Sequence, residues 1–276
     1  MESYTDFAEV YDEFMDETPY EEWCERLIWL IKKYGISRPG SEIPSGNLSE
    51  EEKALFSERN LILDLGCGTG TLTELLAEAG FDIMGIDMSA DMLQVAMDKR
   101  EESGHDIMYL CQDMRELELY CTVGTVICVC DSINYVLEDE EVIETMRRVN
   151  NYLYPEGIFI FDFNTTYKYA EVIGDTTIAE NREDCSFIWD NFYDEESHIN
   201  EYDLTIFVRE EAEMEVFRRF QETHYQRGYD LQEMLHFVQE AGLEFVMAMD
   251  ADTEAEVTDT TERVLMVCRE KGKKHE

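Results

Sequence analysis

Apolar and polar positions follow two different periods along most of this chain. From Asn60 onward, short apolar runs of strand length alternate with longer stretches in which apolar residues recur every three or four positions. This order is typical of an α/β doubly wound parallel sheet with Rossmann-like connections. The predicted strands cover 60–65, 82–87, 106–110, 123–130 and 157–163, and the predicted helices cover 71–79, 89–102 and 138–153.

The N-terminal part does not follow this pattern. Two apolar stripes within residues 4–34 predict two short helices, and residues 35–59 contain two of the four prolines and are interpreted as a loop or linker. Within that linker, Ser49 and Glu52 have the spacing of a capping box and predict a helix start. We therefore expect residues 1–59 to form N-terminal helices and a linker.

Residues 164–227 interrupt the α/β pattern. Stretches at 187–189, 202–208 and 216–225 have strand-like composition without helices between them, which predicts an inserted antiparallel β cap. The pattern resumes with a helix at 230–241 and strands at 243–249 and 262–269. Residues 60–163 and 228–276 are thus expected to form one Rossmann-like domain that carries the cap.

The most informative stretch is the loop that follows the first predicted strand. It reads Asp64-Leu65-Gly66-Cys67-Gly68-Thr69-Gly70 and leads directly into a helical pattern. Glycine lets a backbone turn tightly and approach a ligand closely. The spacing is G-x-G-x-G rather than the G-x-G-x-x-G of a dinucleotide site, and Asp64 would repel a phosphate but suits a cation. A nicotinamide dehydrogenase is therefore the least favoured interpretation.

Carboxylates also follow the second and third predicted strands. Asp87 stands about 20 residues after the glycines, where a carboxylate can accept hydrogen bonds from ribose hydroxyls; the alternative is a helix cap before Ser89. Asp113 could accept from an adenine amino group, or it could be a surface turn residue. Because ligands bind at the carboxyl ends of the strands, acidic residues at three successive strand ends favour a nucleoside site.

The end of the fourth strand should separate cofactor from substrate. It reads Asp131-Ser132-Ile133-Asn134-Tyr135 and contains none of the Asn/Asp-Pro-Pro-aromatic sequence by which some enzymes hold a flipped base. Tyr135, Asp131 and the cap residue His224 are the candidate catalytic residues, for positioning or as a base. The alternative for His224 is a structural histidine within a strand.

The same edge of the sheet also has side chains that could form a metal site. Asp131, Asp162 and Asn164 are oxygen ligands that would suit Mg²⁺, although Asp and Asn at strand ends usually cap helices or turns. No metal is predicted.

Composition narrows the class of partner. The formal net charge is −42, and the electric field of this charge would repel nucleic acid and anionic membranes. The eight cysteines lack metal-ligand spacing, and they suggest a reducing compartment. No apolar run approaches the ~20 residues of a membrane span, and no signal segment is evident. We expect a cytoplasmic protein without nucleic-acid or membrane partners, either a monomer or a homodimer.

The chain as a whole resembles a known family. The stretches that carry the resemblance are Tyr4…Phe7-Ala8…Tyr11-Asp12, the glycine loop, Gly85-Ile86-Asp87-Met88-Ser89, Cys111-Gln112-Asp113-Met114-Arg115, Asp131 to Tyr135, and Phe161-Asp162-Phe163-Asn164. They are similar to class I S-adenosylmethionine (SAM)-dependent methyltransferases of the YqeM-like bacterial group. The layout also resembles the amino-sugar N,N-dimethyltransferases and the glycine N-methyltransferases, and the similarity covers almost everything except the linker at 35–59.

The resemblance implies a fold, a cofactor and contacts. It implies a seven-stranded sheet whose last strand is antiparallel, with a β-rich cap. An N-terminal tyrosine closes over the cofactor in the amino-sugar enzymes, and Tyr11 and Tyr4 occupy the matching stretch here. Those enzymes have a histidine after the fourth strand, whereas this chain has Tyr135. The expected cofactor-binding residues are Tyr4, Tyr11, Asp64, Gly66, Cys67, Gly68, Asp87, Met88, Gln112, Asp113, Met114 and Asp131.

The sequence therefore predicts a SAM-dependent methyltransferase that acts on N or O of a small-molecule acceptor and leaves S-adenosylhomocysteine. The alternatives are a protein or RNA methyltransferase, and a SAM-binding sensor without turnover. An aromatic pocket beside the methyl group that is open to solvent favours an enzyme, and a filled one favours a sensor.

Overall fold

The protein contains two β-sheets within the part of the chain that its structure describes. That structure is a computed structural model, which describes residues 6–42, 49–210 and 216–273. The larger sheet has seven strands in the order β10-β11-β5-β4-β1-β2-β3, and only β11 runs antiparallel to its neighbours. The smaller sheet has four antiparallel strands in the order β6-β7-β8-β9. The strands are β1 Ile62–Leu65, β2 Ile83–Asp87, β3 Met108–Cys111, β4 Val123–Cys128, β5 Leu153–Asn164, β6 Thr177–Asn181, β7 Cys185–Asp194, β8 Ile199–Arg209, β9 Phe217–Arg227, β10 Glu244–Asp250 and β11 Arg263–Arg269.

Helices cover both faces of the large sheet. The α-helices are α1 Tyr11–Phe14, α2 Tyr20–Tyr34, α3 Glu50–Asn60, α4 Thr71–Glu78, α5 Ala90–Ser103, α6 Asp139–Tyr152 and α7 Leu231–Glu240. On one face, α2 and α4 bury residues such as Leu30 and Leu76 against the strands. On the other face, α6 and α7 bury residues such as Met146 and Phe237. The predicted doubly wound fold, with its last strand antiparallel and its inserted antiparallel cap, is confirmed.

The junction between α6 and β5 lies elsewhere than predicted. Helix α6 ends at Tyr152, and β5 begins at Leu153 rather than at residue 157. Leu153 is fully buried and pairs with Val123, and the register shifts before pairing resumes at Ile158. Pro155 lies within this irregular stretch, where a missing backbone N–H interrupts no regular ladder.

The linker and the cap contain elements that the composition did not show. Helix α3 lies within the predicted linker, and Ser49 and Glu52 form the expected capping box at its start. Strand β6 was not predicted, because Thr177–Asn181 is largely polar and becomes a strand only by pairing with β7. A short π-helix, Lys168–Ile173, precedes it.

The N-terminal segment lies against the cap. Phe7, Val10 and Phe14 pack on the apolar part of the inner face of the small sheet, which includes Leu204 and Ile206. This contact places α1 between the cap and the large sheet. None of the helices in the described part of the chain combines the length and apolarity needed to cross a membrane.

Candidate functional site

The glycine loop after β1 is held in a conformation that requires glycine. Gly66, Gly68 and Gly70 have φ values of 80°, 54° and 72°, in the left-handed region. A Cβ on Gly66 would lie 2.7 Å from the Oγ of Ser132, whereas a Cβ on Gly68 would meet nothing within 4 Å. The loop therefore leaves open space above Gly68 and cannot accept a side chain at Gly66 without displacing Ser132.

A cavity that is partly open to solvent lies above this loop. It is bounded by the carboxyl ends of β1 to β4 and by the N-terminal segment, as the strand-end rule predicts. The expected cofactor residues that line it are Tyr11, Asp64, Gly66, Cys67, Gly68, Asp87, Met88, Gln112, Asp113 and Met114. Asp131 is not among the residues that line it, and Tyr4 lies outside the described residues.

Asp64 is a buried acid at the base of the cavity. Burial raises its pKa to about 7, against the hydrogen bond that Thr73 Oγ1 donates to its Oδ2 at 2.6 Å, and nearby Asp87 raises it further. The side chain is only 3% exposed. A cationic ligand in the cavity would favour the ionised form of this carboxyl group.

Asp87 braces the glycine loop from the next strand. Its Oδ2 accepts the backbone N–H of Gly68 at 2.8 Å, and its Oδ1 accepts that of Ser89 at 2.8 Å. Burial raises its pKa, and these amides oppose the shift. The cap of helix α5 is Ser89, whose Oγ accepts from Met92. Asp87 is therefore not the helix cap, and its contact with ribose hydroxyls stays a prediction.

Asp113 has an arginine partner. Its carboxylate accepts hydrogen bonds from the backbone N–H of Arg115 and from the guanidinium, with Nη2 to Oδ2 at 2.6 Å. These bonds hold the pKa of Asp113 below its usual range. Asp113 also caps the short 3₁₀ turn Met114–Glu116, so it is a turn residue that in addition lines the cavity. Its contact with an adenine amino group stays a prediction.

The turn after β4 is held by a carboxylate from β5. Cys130 and Asp131 both have positive φ values, 62° and 51°, which are uncommon for residues other than glycine. The carboxylate of Asp162 accepts the backbone N–H of Cys130 at 3.2 Å and that of Asp131 at 2.8 Å. Arg263 lies 3.5 Å away, yet burial still raises the pKa of Asp162 to about 6. Asp162 thus stabilises the turn that presents Ser132 and Tyr135 to the cavity.

The remaining candidate metal ligands also have protein partners. Asp131 turns toward the cap, where its Oδ2 accepts from Gln226 Nε2 at 2.5 Å. Asn164 donates to the hydroxyl of Tyr169 and accepts from Lys168 Nζ at 2.9 Å. Among the described residues, no group of three or more His, Cys, Asp or Glu side chains is arranged to hold a metal ion.

The two candidate catalytic residues from distant parts of the chain meet at the cap. Tyr135 lines the cavity, and its hydroxyl lies 2.6 Å from that of Tyr202 and 3.4 Å from His224 Nδ1. The ring of His224 stacks on Tyr202, with 4.9 Å between centroids. On its other side, His224 Nε2 lies 3.2 Å from Glu222 Oε2.

Sequence reasoning missed two residues of this region. Glu222 escaped notice, although polar residues at the alternate positions 222, 224 and 226 of a strand were a usable signal. Tyr20, at the start of α2, lines the cavity and is brought there only by packing. Tyr225, by contrast, lies on the outward face of β9 and is 44% exposed.

Asp12 connects the N-terminal segment to helix α5 by an ion pair and to the glycine loop by a hydrogen bond. The carboxylate of Asp12 lies 2.6 Å from Lys99 Nζ and accepts from Thr69 Oγ1 at 2.7 Å. Tyr11, beside it, lines the cavity. This segment therefore covers one side of the cavity, and the contact of Tyr11 with the cofactor stays a prediction.

Comparisons with known proteins agree with this geometry. A family model described as a methyltransferase domain matches residues 62–157. A curated relative named as a methyltransferase, YqeM of Bacillus subtilis, is 35% identical over 262 residues, which cover 95% of this chain and 94% of the relative. A solved SAM-dependent methyltransferase from Clostridium acetobutylicum is 25% identical, with a TM-score of 0.80, and the match covers 98% of this chain and 100% of that one.

A more distant solved structure is similar in fold. It is SAM-bound CalS10, described as an amino pentose methyltransferase from Micromonospora echinaspora. Its TM-score is 0.67 at 15% identity, and the match covers 98% of each chain.

Proposed function

The chain belongs to the YqeM-like SAM-dependent methyltransferases, and we propose that it methylates a nitrogen or oxygen atom of a small-molecule acceptor. SAM is the cofactor, and when bound it supplies an electrophilic methyl group on a sulfonium. The residues of this chain have to align the nucleophile, exclude water and accept a proton where one is released.

The cavity fits this cofactor. Its floor is free of Cβ atoms at Gly66 and Gly68, the acidic side chains of Asp64 and Asp87 line it, and the guanidinium of Arg115, which also lines it, is paired with Asp113. In the proposed arrangement Asp64 lies toward the charged amino-acid end, and Asp87 accepts from the ribose. Met88, Gln112, Asp113 and Met114 border the adenine.

One observation carries the proposal for a small acceptor. Tyr135 lines the cavity with one part of its side chain, and its hydroxyl contacts Tyr202 and His224 of the cap. No cap residue in the described part of the chain lines the cavity itself, but this contact supports an arrangement in which the cap covers the acceptor end of the cavity and limits the size of the acceptor. The tyrosines at positions 11, 20 and 135 line a cavity that is open to solvent, which supports turnover rather than sensing alone.

Charge supports the same acceptor class. A net charge of −42 disfavours an RNA acceptor, because RNA is bound through neutralisation of phosphates by Lys and Arg. CalS10, which shares the fold, is described as acting on an amino pentose, and this supports a small acceptor here. All eight cysteines are free, which supports our proposal of a cytoplasmic location.

Calorimetric titration with SAM and with S-adenosylhomocysteine tests the cofactor site. We expect both to bind to the wild-type protein and Asp87→Ala to lose at least about tenfold in affinity, since it removes both the brace of Gly68 and the ribose acceptor. Asp98→Ala, an exposed acid on α5, is the matched control and should bind as wild type does. Equal affinity of Asp87→Ala and wild type would contradict the assigned site.

Turnover is tested with methyl-labelled SAM and named probes. Glycine, sarcosine and glucosamine offer nitrogen, and catechol offers oxygen. Transfer of label to any of these supports a small acceptor. Binding of SAM together with no transfer to any probe, but transfer to protein or RNA from an extract, would support the alternative acceptors instead.

A further inference from the structure

Two buried ionisable side chains on the inner face of the cap have no role in the cofactor site. Glu222 and His224 occupy alternate positions of β9 and are 6% and 1% exposed. Removing a carboxylate and an imidazole from water is costly unless they are paired. Gln226, at the next inward position, is accounted for by its bonds to Asp131 and Tyr169. Glu222 and His224 are paired with each other, and their contacts lead to Tyr135 at the cavity.

Their contacts form a chain that ends at the cavity. One carboxylate oxygen of Glu222 accepts the backbone N–H of Phe7 at 3.3 Å, and the other lies 3.2 Å from His224 Nε2. The opposite ring nitrogen, Nδ1, lies 3.4 Å from the hydroxyl of Tyr135. The contact between Nε2 and the carboxylate is not a well-aligned hydrogen bond, but the negative charge beside Nε2 favours the neutral imidazole with its proton on that nitrogen. In that tautomer, Nδ1 has a lone pair directed at Tyr135.

We propose that Glu222 is a positioning residue that fixes this tautomer, so that Tyr135 and His224 together remove a proton from a cationic amine acceptor. The inference rests on the proposed function and names the acceptor as a protonated amine. Of Glu222, His224 and Tyr135, only Tyr135 lines the cavity, so it is the group through which the proton leaves the acceptor.

The proposed step balances atoms and charge. An ammonium group has no lone pair and cannot attack a methyl group, so it first gives one N–H proton to the Tyr135 oxygen while the hydroxyl proton of Tyr135 moves to His224 Nδ1. The freed nitrogen lone pair then forms the N–CH₃ bond as the S–CH₃ bond breaks, and sulfur keeps the electron pair. The products are a methylated ammonium, S-adenosylhomocysteine and an imidazolium beside the Glu222 carboxylate, which later releases its proton to solvent.

Charge around the cavity favours an amine over a neutral alcohol. The acidic side chains of Asp64 and Asp87 line the cavity, where a bound cation favours the ionised form of Asp64, and Asp131 and Glu222 lie on the cap side of it. The protein as a whole carries a net charge of −42. Such a field concentrates cations at the site, and a protonated amine is a cation that needs a proton acceptor before it can react.

Histidine NMR tests the tautomer without any acceptor. Long-range ¹H–¹⁵N spectra of the full-length protein distinguish a proton on Nε2 from one on Nδ1. The chain has five histidines, so replacing the other four by Gln one at a time assigns His224 by elimination. We expect the Nε2–H tautomer in the wild type and loss of its predominance in Glu222→Gln. A wild-type His224 with its proton on Nδ1 would overturn the proposal.

Steady-state kinetics with glycine, sarcosine and glucosamine as probes give the second readout. We expect Tyr135→Phe and His224→Gln to lower kcat by about 10²-fold and Glu222→Gln by about tenfold, within the range for general-base catalysis, with the KM for SAM within about twofold of wild type. Glu201→Gln makes the same chemical change on β8 beside the outward-facing Tyr225 and should match wild type.

The outcomes separate this inference from the function on which it rests. A Glu222→Gln protein that binds SAM normally and keeps wild-type kcat contradicts the relay alone. Methylation of catechol but of none of the amines also contradicts it, while it supports the proposed function. No turnover of any probe by the wild type contradicts both.

Discussion

The buried acid at the base of the cavity makes the stability of the ligand-free protein depend on pH. Asp64 is 3% exposed, and its pKa is raised from 3.8 to about 7. The change to be made is Asp64→Asn, which keeps the shape and an acceptor for the Thr73 hydroxyl but cannot ionise.

The sign follows from which state loses its proton first. Below pH 3.8 the carboxyl is protonated in both the folded and the unfolded chain, and it contributes no pH dependence. Between there and about pH 7 the unfolded chain is ionised and the folded one is not, so unfolding releases a proton and stability falls as pH rises. Above that pH the loss is complete. At 1.36 kcal/mol per unit, it amounts to at most about 4 kcal/mol.

Only the part of this loss between two measured pH values enters the test. From pH 5.5 to pH 8, the free energy of unfolding of Asp64→Asn minus that of wild type should increase by about 2 kcal/mol. Constant effects of the substitution, including any change in the bond to Thr73, cancel in this comparison. The expected direction is unusual, because removing an acid from a ligand site stabilises the protein most at high pH.

Urea unfolding followed by tryptophan fluorescence, without SAM, supplies the measurement. Asp98→Asn, which changes an exposed acid on α5, is the control, and its difference from wild type should not vary with pH. A difference for Asp64→Asn that stays constant within about 0.5 kcal/mol, or that declines toward pH 8, would refute the assignment of a buried, largely protonated carboxyl group.

Two further predictions concern the glycine loop and the segment that covers it. Gly66→Ala should weaken SAM binding by at least about tenfold, because the new methyl group would lie 2.7 Å from Ser132 Oγ at a backbone φ of +80°. Lys99→Met removes the ion pair with Asp12, which is partly exposed, and should cost less than about 1 kcal/mol of stability. The same change should accelerate SAM dissociation several-fold in stopped-flow measurements, because the N-terminal segment covers one side of the cavity.

Controls for these two changes are available in the same chain. Gly104→Ala places a Cβ at a φ of +72° with nothing within 4 Å, so it measures the backbone cost alone and should leave SAM affinity unchanged. Lys32→Met removes an exposed pair with Glu42 far from the glycine loop. If Gly66→Ala binds SAM with the same affinity as Gly104→Ala does, the contact with Ser132 does not weaken SAM binding. If Lys99→Met and Lys32→Met release SAM at the wild-type rate, Asp12 does not hold the segment closed.

Local periodicity determined most of the large sheet and the cofactor half of the site. The glycine loop, Asp87 and Asp113 could be placed from sequence because each directly follows a strand, and parallel strands bring their carboxyl ends to one edge. These residues are assigned by their neighbours in the chain. The prediction needed no knowledge of distant contacts.

The acceptor half was decided by tertiary structure. A strand has two faces, and the sequence of β9 does not show which of them packs inside the protein. Packing against the N-terminal segment places Glu222 on the buried face of β9 and Tyr225 on the exposed face. Strand β6 exists only because β7 supplies its hydrogen bonds. Asp131, predicted at the cofactor, instead points to Gln226, because the Asp162 carboxylate on β5 holds the turn in a left-handed conformation. Spacing along one strand or helix can therefore be predicted from the sequence. The direction of a side chain at an irregular turn or in an inserted sheet depends on residues far away in the chain, and only the folded structure brings those residues together.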